Sequence, residues 1–362
     1  MLSGFTAQLF IGLVSVAVIV ASAEVIVEKM QSVAKSFGVS EVVVATTVIS
    51  LGTSLPEISV HVIGSLNILS NPGNINNISS TLLGMNIGSD IVQQTLIPGT
   101  VVVLASLMKG RDSFNFKRSF IKRDYLPMIG AHVLVLVMAL NGFIGRIEGL
   151  ALVILFISYV YYLYLKRDEK LLRHGNAEAS EKPWRDLTMA LAGMGFLIYF
   201  SDLFLQIVEA LIVQTGISGS MIGIATIGFV SAMPEFITAV SAVRKGAEGL
   251  SLGTLIGSNI TNPLMGIGLG AAISSYTVPN PLILFDLPVQ IITAVLLVTY
   301  LWNKEKIGYI LSELFTILGF ERAADRFKGF ENGVLTALGG ATLITIYIGY
   351  LIIRATYLPT DF

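Results

Sequence analysis

Apolar runs of about 20 residues, each closed by a short polar stretch, recur from one end of this chain to the other. Ten can be marked, near 4–28, 40–66, 77–107, 125–141, 147–165, 187–213, 217–243, 250–275, 281–302 and 333–357. A run of that length is what an α-helix needs to cross a hydrocarbon layer about 30 Å thick. Inside that layer the helix also satisfies its own backbone. The pattern predicts an all-α polytopic membrane protein with ten transmembrane helices. Polar connections fall at 29–39, 108–124, 166–186 and 303–332. The last is mixed enough, with Ile307, Ile310, Leu311, Leu314, Phe315 and Leu318, to hold either an interfacial helix or an ordinary loop helix. The opening Met-Leu-Ser-Gly-Phe has no basic region before the first run, so residues 4–28 read as a retained membrane helix rather than a cleaved signal.

Composition agrees: 54% of the 362 residues are hydrophobic and 13% charged, and the mean hydropathy is +0.77. The net charge of −1 gives no electrostatic case for nucleic acid. With no cysteine there are no disulfides, thiolate metal sites or cysteine nucleophile. Lys and Arg set the orientation. Alternate connections on one side hold 21 of the 23 basic residues, and only Arg146 and Arg354 fall on the other. The rich side is then cytoplasmic and both termini are extracellular. An error of one in the segment count would have destroyed this asymmetry.

Within the second run, Thr46-Thr-Val-Ile-Ser-Leu-Gly-Thr-Ser-Leu-Pro-Glu57 places a carboxylate at membrane depth, behind Ser50, Thr53 and Ser54. Insertion scales charge about 2.5–3.5 kcal/mol for such a group, which makes it a functional candidate. Pro56 lacks an N–H, and its ring clashes with the carbonyl of Gly52, so the helix should break or kink and free carbonyls for an ion. The same device returns at Ser231-Ala-Met-Pro-Glu235.

Shifting the chain on itself by 178 residues brings Glu24 onto Asp202, Gly38 onto Gly216, Ser40 onto Ser218, Pro56 onto Pro234 and Glu57 onto Glu235. Further on, Gly84-Met-Asn-Ile-Gly-Ser-Asp-Ile91 falls on Gly253-Thr-Leu-Ile-Gly-Ser-Asn-Ile260 at a shift of 169, the first half being longer around Asn71–Asn77. Five helices per half is an odd number, so the halves should lie in opposite orientations. Residues 1–166 form the first inverted repeat, 167–186 a cytoplasmic linker, and 187–362 the second repeat with a cytoplasmic insertion at 303–332. Interrupted helices meeting at the midplane between inverted repeats are the architecture of secondary transporters.

Two glutamates ringed by hydroxyls, amides and carbonyls make an all-oxygen site. Ca²⁺ takes 6–8 oxygens in an adaptable cage. Soft-metal ligands are missing, since none of the three histidines lies in either Pro-Glu motif. Two carboxylates balance one divalent ion, or two monovalent ions or protons, so competition for the pair can drive exchange.

The two Pro-Glu motifs, followed by Gly-Ser-Asp-Ile and Gly-Ser-Asn-Ile, resemble the α-repeats of the cation/Ca²⁺ exchanger superfamily, most nearly its prokaryotic sodium/calcium exchangers. The motif resemblance covers about 46–94 and 224–263. It implies that Glu57 and Glu235 ligate Ca²⁺ and that Thr53, Ser54 and Ser231 bind ions one turn earlier. It further implies the carbonyls of Ser50 and Gly228 at the helix breaks, Ser89 and Ser258 of the Gly-Ser pairs, and Gln93 and Asn262 four residues on along the same face. The chain departs from sodium-driven relatives, which commonly carry an aspartate at one of the last two positions. Ala232 also stands where the first half has Ser54, and an acid appears instead at Asp90, one residue after Ser89.

The expected function is a Ca²⁺/Na⁺ antiporter, with a Ca²⁺/H⁺ antiporter on the same fold as the alternative; Asp90 and His61 would then be the residues to test. A cation channel fits an internal repeat less well. An intramembrane enzyme lacks any His/Cys/Asp cluster, Ser–Lys pair or nucleotide loop. Glu24 and Asp202 read as structural hydrogen-bonding groups, with an access path as the alternative, and His61 as a packing residue. Gly253, Gly257, Gly266, Gly268 and Gly270 read as close-packing positions. The implied partners are the lipid bilayer of a prokaryotic plasma membrane and the ions Ca²⁺ and Na⁺. No cofactor and no protein partner is indicated, and the oligomeric state is left open.

Overall fold

The computed structural model describes residues 2–36, 54–109, 113–115, 125–165, 182–233, 235–236, 239–240, 248–302, 316 and 334–361. Helix is present in each of the ten apolar segments. In chain order these are α1 (Leu2–Ser36), α2 (Leu55–Ser70), α3 (Ile75–Gln94), α4 (Leu96–Lys109), α5 (Leu126–Ala139), α6 (Arg146–Leu165) and α7 (Pro183–Thr215). They continue with α8 (Gly219–Ser231), α9 (Glu248–Thr261), α10 (Gly268–Ser274), α11 (Leu287–Trp302) and α12 (Ala337–Tyr357). Thr6–Ile26, Pro72–Leu104, Pro183–Ile212 and Ala337–Tyr357 are long and apolar enough to cross a membrane by length and composition. Leu126–Ala139, Gly219–Ser231 and Leu282–Val298 are shorter apolar helices. Residues 166–181 of the connection at 166–186 and, apart from Thr316, the connection at 303–332 lie outside the described residues.

Two short antiparallel pairings, which the hydropathy pattern did not signal, tie connections together. β1 (Ser113–Asn115) pairs with β4 (Val334–Thr336), and β2 (Phe143–Ile144) with β3 (Tyr276–Thr277). The second carries Tyr276 into the interior, where its hydroxyl meets His61 Nδ1 at 3.0 Å and Ser65 Oγ at 2.9 Å. That hydroxyl occupies the space a side chain at Gly270 would need.

Helix α3 is the axis of the molecule. Every residue from Ile78 to Gln94 is buried, yet eight of them are polar or charged: Ser79, Ser80, Thr81, Asn86, Ser89, Asp90, Gln93 and Gln94. A helix that is buried on all sides and still polar belongs where other helices, not lipid, supply its partners. Large apolar side chains such as Phe10, Leu107, Ile147 and Leu284 point outward instead, as a lipid-facing surface requires. Helices α1 and α7 pack chiefly against each other.

Glycine lets α3 and α8 touch backbone to backbone. A Cβ at Gly88 would stand 2.6 Å from Ile224 Cα, and one at Gly228 2.6 Å from Ser89 N. The expected packing role holds at Gly266, Gly268 and Gly270, whereas Gly257 has no close neighbour among the described residues. Gly253 carries no described contact.

Proline interrupts the helices next to the polar core. Pro98 cannot donate to the Gln94 carbonyl, and α3 ends at Thr95. Pro263 lies in a π-helical turn, Asn262–Ile267, and π-turns also occupy Gly223–Ile227 and Leu282–Asp286. Such turns re-aim side chains and are frequent at functional sites.

Candidate ion-binding site

Helix α2 starts directly after Ser54, with Pro56 in its first turn and Glu57 beside it. The first turn has unsatisfied N–H groups and the positive end of the helix dipole, which suits a carboxylate. Ser54 does not cap the helix with its side chain. Its hydroxyl instead reaches Ser258 Oγ at 3.0 Å. The second motif mirrors this backbone. Ile58 N–H donates to the Ser54 carbonyl at 3.0 Å, and Phe236 N–H to the Ala232 carbonyl at 3.0 Å, 178 positions on in both members. Residues 37–53 are not described, so Ser50 and Thr53 lie outside the described residues, as does Pro234.

Both glutamates are fully buried. Ser89 Oγ donates to Glu57 Oε1 at 3.4 Å, and Ser258 Oγ donates to Glu235 Oε1 at 3.0 Å. The second oxygen of each, Glu57 Oε2 and Glu235 Oε2, has no hydrogen-bond partner among the described residues. Ser231 lies against Glu57, and the two glutamates and Asp90 are close enough for their charges to interact. The Gly228 carbonyl is engaged by Ala232 N–H and Ser231 O–H, both at 3.3 Å.

The remaining candidates sit in an amide belt. Gln93 Nε2 donates to Ser89 Oγ at 3.0 Å, while Gln93 Oε1 accepts from Asn259 Nδ2 at 2.9 Å. Asn262 Nδ2 donates to Asp90 Oδ1 at 3.0 Å, and Asn262 Oδ1 has no partner among the described residues. Asp90 Oδ2 takes Gln290 Nε2 at 2.8 Å and lies 3.4 Å from His132 Nε2. His132 Nε2 also approaches the Asn259 carbonyl at 3.1 Å, the carbonyl to which Pro263 has no N–H to return.

The structure therefore gathers Glu57, Glu235, Ser54, Ser89, Ser258, Ser231, Gly228, Gln93, Asn262 and Asp90 into one buried cluster. It adds residues the motifs did not single out: Asn86, His132, Asn259, Gln94, Gln290 and Thr293. Asn259 could have been found from the repeat, since it falls on Asp90 at the shift of 169. The signal at Gln290 and Thr293 was a pair of polar residues one turn apart in an apolar run. His61 lies 3.4 Å from Asn86 Nδ2 and joins the tyrosine cluster instead of the carboxylates. Asp202 is held by Asn67 and Gln206 amides, as a structural acid would be, while Glu24 is exposed.

A sequence model described as sodium/calcium exchanger protein matches residues 7–165 and 186–356. The chain belongs to the sodium/calcium exchanger family. Like that family, it is an integral membrane antiporter of cations. The sodium/calcium exchanger MaX1 of Methanosarcina acetivorans is 25% identical over 341 residues, covering 82% of this chain and 91% of that one. Among solved structures, the sodium-calcium exchanger NCX_Mj superposes with a TM-score of 0.55 at 20% identity, covering 98% of this chain and 99% of the other. The H⁺/Ca²⁺ exchanger CAX gives 0.61 at 16% identity over 96% and 88%. At these identities the structures speak for the fold alone.

Proposed function

We propose that this family member exchanges Ca²⁺ for Na⁺ across the prokaryotic plasma membrane, by alternating access around Glu57 and Glu235. The observation that carries the reading is the pair of buried carboxylate oxygens, Glu57 Oε2 and Glu235 Oε2, that have no hydrogen-bond partner among the described residues. An ionised carboxylate taken out of water loses several kcal/mol even after relaxation. Two of them close enough to interact add repulsion, and a divalent cation offsets both terms at once. Glu57, Glu235, Ser54, Ser89, Ser231, Ser258 and Asn262 offer hard oxygens of the kind Ca²⁺ and Na⁺ take. The undescribed Ser50 and Thr53 complete the set on the motif resemblance.

The same charge logic supports obligatory exchange. An empty site keeps two uncompensated carboxylates, which opposes its passage through a closed state; a loaded site is neutral and can pass. Ten helices in two inverted halves, 1–166 and 187–362, would supply the two gates. Exchange for protons at the same pair is the second reading, and the likeness to CAX in fold is what favours it.

Equilibrium ⁴⁵Ca²⁺ binding to the purified protein tests the site. Glu57→Gln and Glu235→Gln each remove one charge with no change of shape, and each is expected to abolish binding while the protein stays monodisperse. Na⁺ should displace Ca²⁺ from the wild type. Retained binding in either variant would overturn the assignment.

A further inference from the structure

The two halves carry different residues at matched positions of the amide belt: Asp90 falls on Asn259, and Gln93 on Asn262, at the shift of 169. The contacts cross between halves. Asp90 pairs with Asn262 at 3.0 Å, and Asn259 pairs with Gln93 at 2.9 Å. The polarity of the two pairs is opposite, for a chemical reason. A carboxylate only accepts, so Asp90 must face the Asn262 nitrogen, and the Asn262 oxygen is left buried and unpaired. Three donors, from Asn262, Gln290 and His132, hold Asp90 in place.

Asn259 works the other way. Its own oxygen accepts from Gln94 Nε2 at 2.7 Å, and Gln94 Oε1 in turn accepts from Thr293 Oγ1 at 2.7 Å. Its nitrogen is therefore what Gln93 meets, and the Gln93 oxygen is engaged by that donor. The Gln93 nitrogen goes to Ser89, and the Ser89 proton to Glu57. The direction of this chain is fixed at its far end as well, because the Glu57 carboxylate can only accept, so Ser89 must donate to it and accept from Gln93. Amide orientation, ordinarily an assignment, is here imposed by the Glu57 carboxylate at one end and, at the other, by the Leu255 carbonyl, which accepts from Asn259 Nδ2 at 2.8 Å.

We propose that Asp90 and Asn259 are positioning residues that decide which end of the facing amide each half offers to the ion. Asp90 makes Asn262 an oxygen ligand, and Asn259 together with Ser89 holds Gln93 as a support for Ser89, its oxygen engaged by an amide donor. The proposal rests on the Glu57/Glu235 site reading. It accounts for how a chain without an acid at position 93 or 262 still makes an asymmetric site.

The test is Ca²⁺ affinity of the purified full-length protein, with folding followed by size-exclusion profile. Asn262→Leu is expected to raise Kd about tenfold or more, as for loss of one ligand to a charged ion, and Gln93→Leu less than about threefold. Asp90→Asn should weaken binding as Asn262→Leu does, and the double variant should be no worse than Asn262→Leu alone. Equal losses at 93 and 262, or multiplying losses in the Asp90/Asn262 double variant, would overturn the proposal. If Asp90→Asn does not fold, the 93/262 comparison decides. Normal binding by Glu57→Gln would instead remove the site reading itself.

Discussion

Ser89 is a hinge between two chemistries, donating to Glu57 and accepting from Gln93. Ser89→Ala removes a hydrogen bond to a carboxylate and strands the Gln93 nitrogen, at a cost of about 1–3 kcal/mol. Ca²⁺ uptake should fall roughly five- to a hundredfold without vanishing, since one neutral oxygen of several is lost; unchanged uptake in reconstituted vesicles would count against the contact. Arg354 shows what a residue can hide from a sequence reading. It counted as one of two basic residues on the poor side, yet it is fully buried, with Nε 2.8 Å from Asp286 Oδ2, and Tyr350 donates to the same aspartate at 2.8 Å. Its charge is spent inside the protein and does not bear on orientation. Removing one partner of such a pair leaves the other uncompensated, so Arg354→Ala should lose about 3–5 kcal/mol. Thermal unfolding in detergent would read this as a large drop in midpoint.

At the scale of elements, the α3–α8 contact and the proline-bent turns place the site. Gly88→Ala pushes a methyl group to 2.6 Å from the Ile224 backbone, where no side chain can yield, and should cost about 1–3 kcal/mol. Gly257, in α9 with nothing within 4 Å among the described residues, is the contrasting case: Gly257→Ala should be neutral or gain up to about 1 kcal/mol from helix propensity. Unfolding midpoints of the two variants should move in opposite directions, or the second not at all. Helix positions were legible because an apolar run of membrane length admits few other structures. The Pro-Glu motifs were legible because a carboxylate at that depth is expensive. The α3–α8 glycines were not, because a glycine within a helix does not say which neighbour it meets. Asn259, Gln94 and Gln290 were missed because an amide satisfies itself with many partners, and its spacing fixes none of them. The strand pairs β1–β4 and β2–β3 join distant connections of two or three residues, too short to leave a period.

At the scale of the whole molecule, a polar helix runs through the centre of an apolar bundle and ends its charges on two buried glutamates. In the proposed reading a cation compensates that arrangement, and the family is one of cation exchangers. Which ion drives the exchange is the central claim. The direct measurement is ⁴⁵Ca²⁺ uptake into proteoliposomes loaded with Na⁺ and diluted into choline, with and without a pH gradient. Uptake that requires internal Na⁺, persists when the pH gradient is collapsed and is absent in Glu57→Gln is the predicted result. Uptake driven by the pH gradient alone, indifferent to Na⁺, would contradict it and assign the two carboxylates to proton exchange.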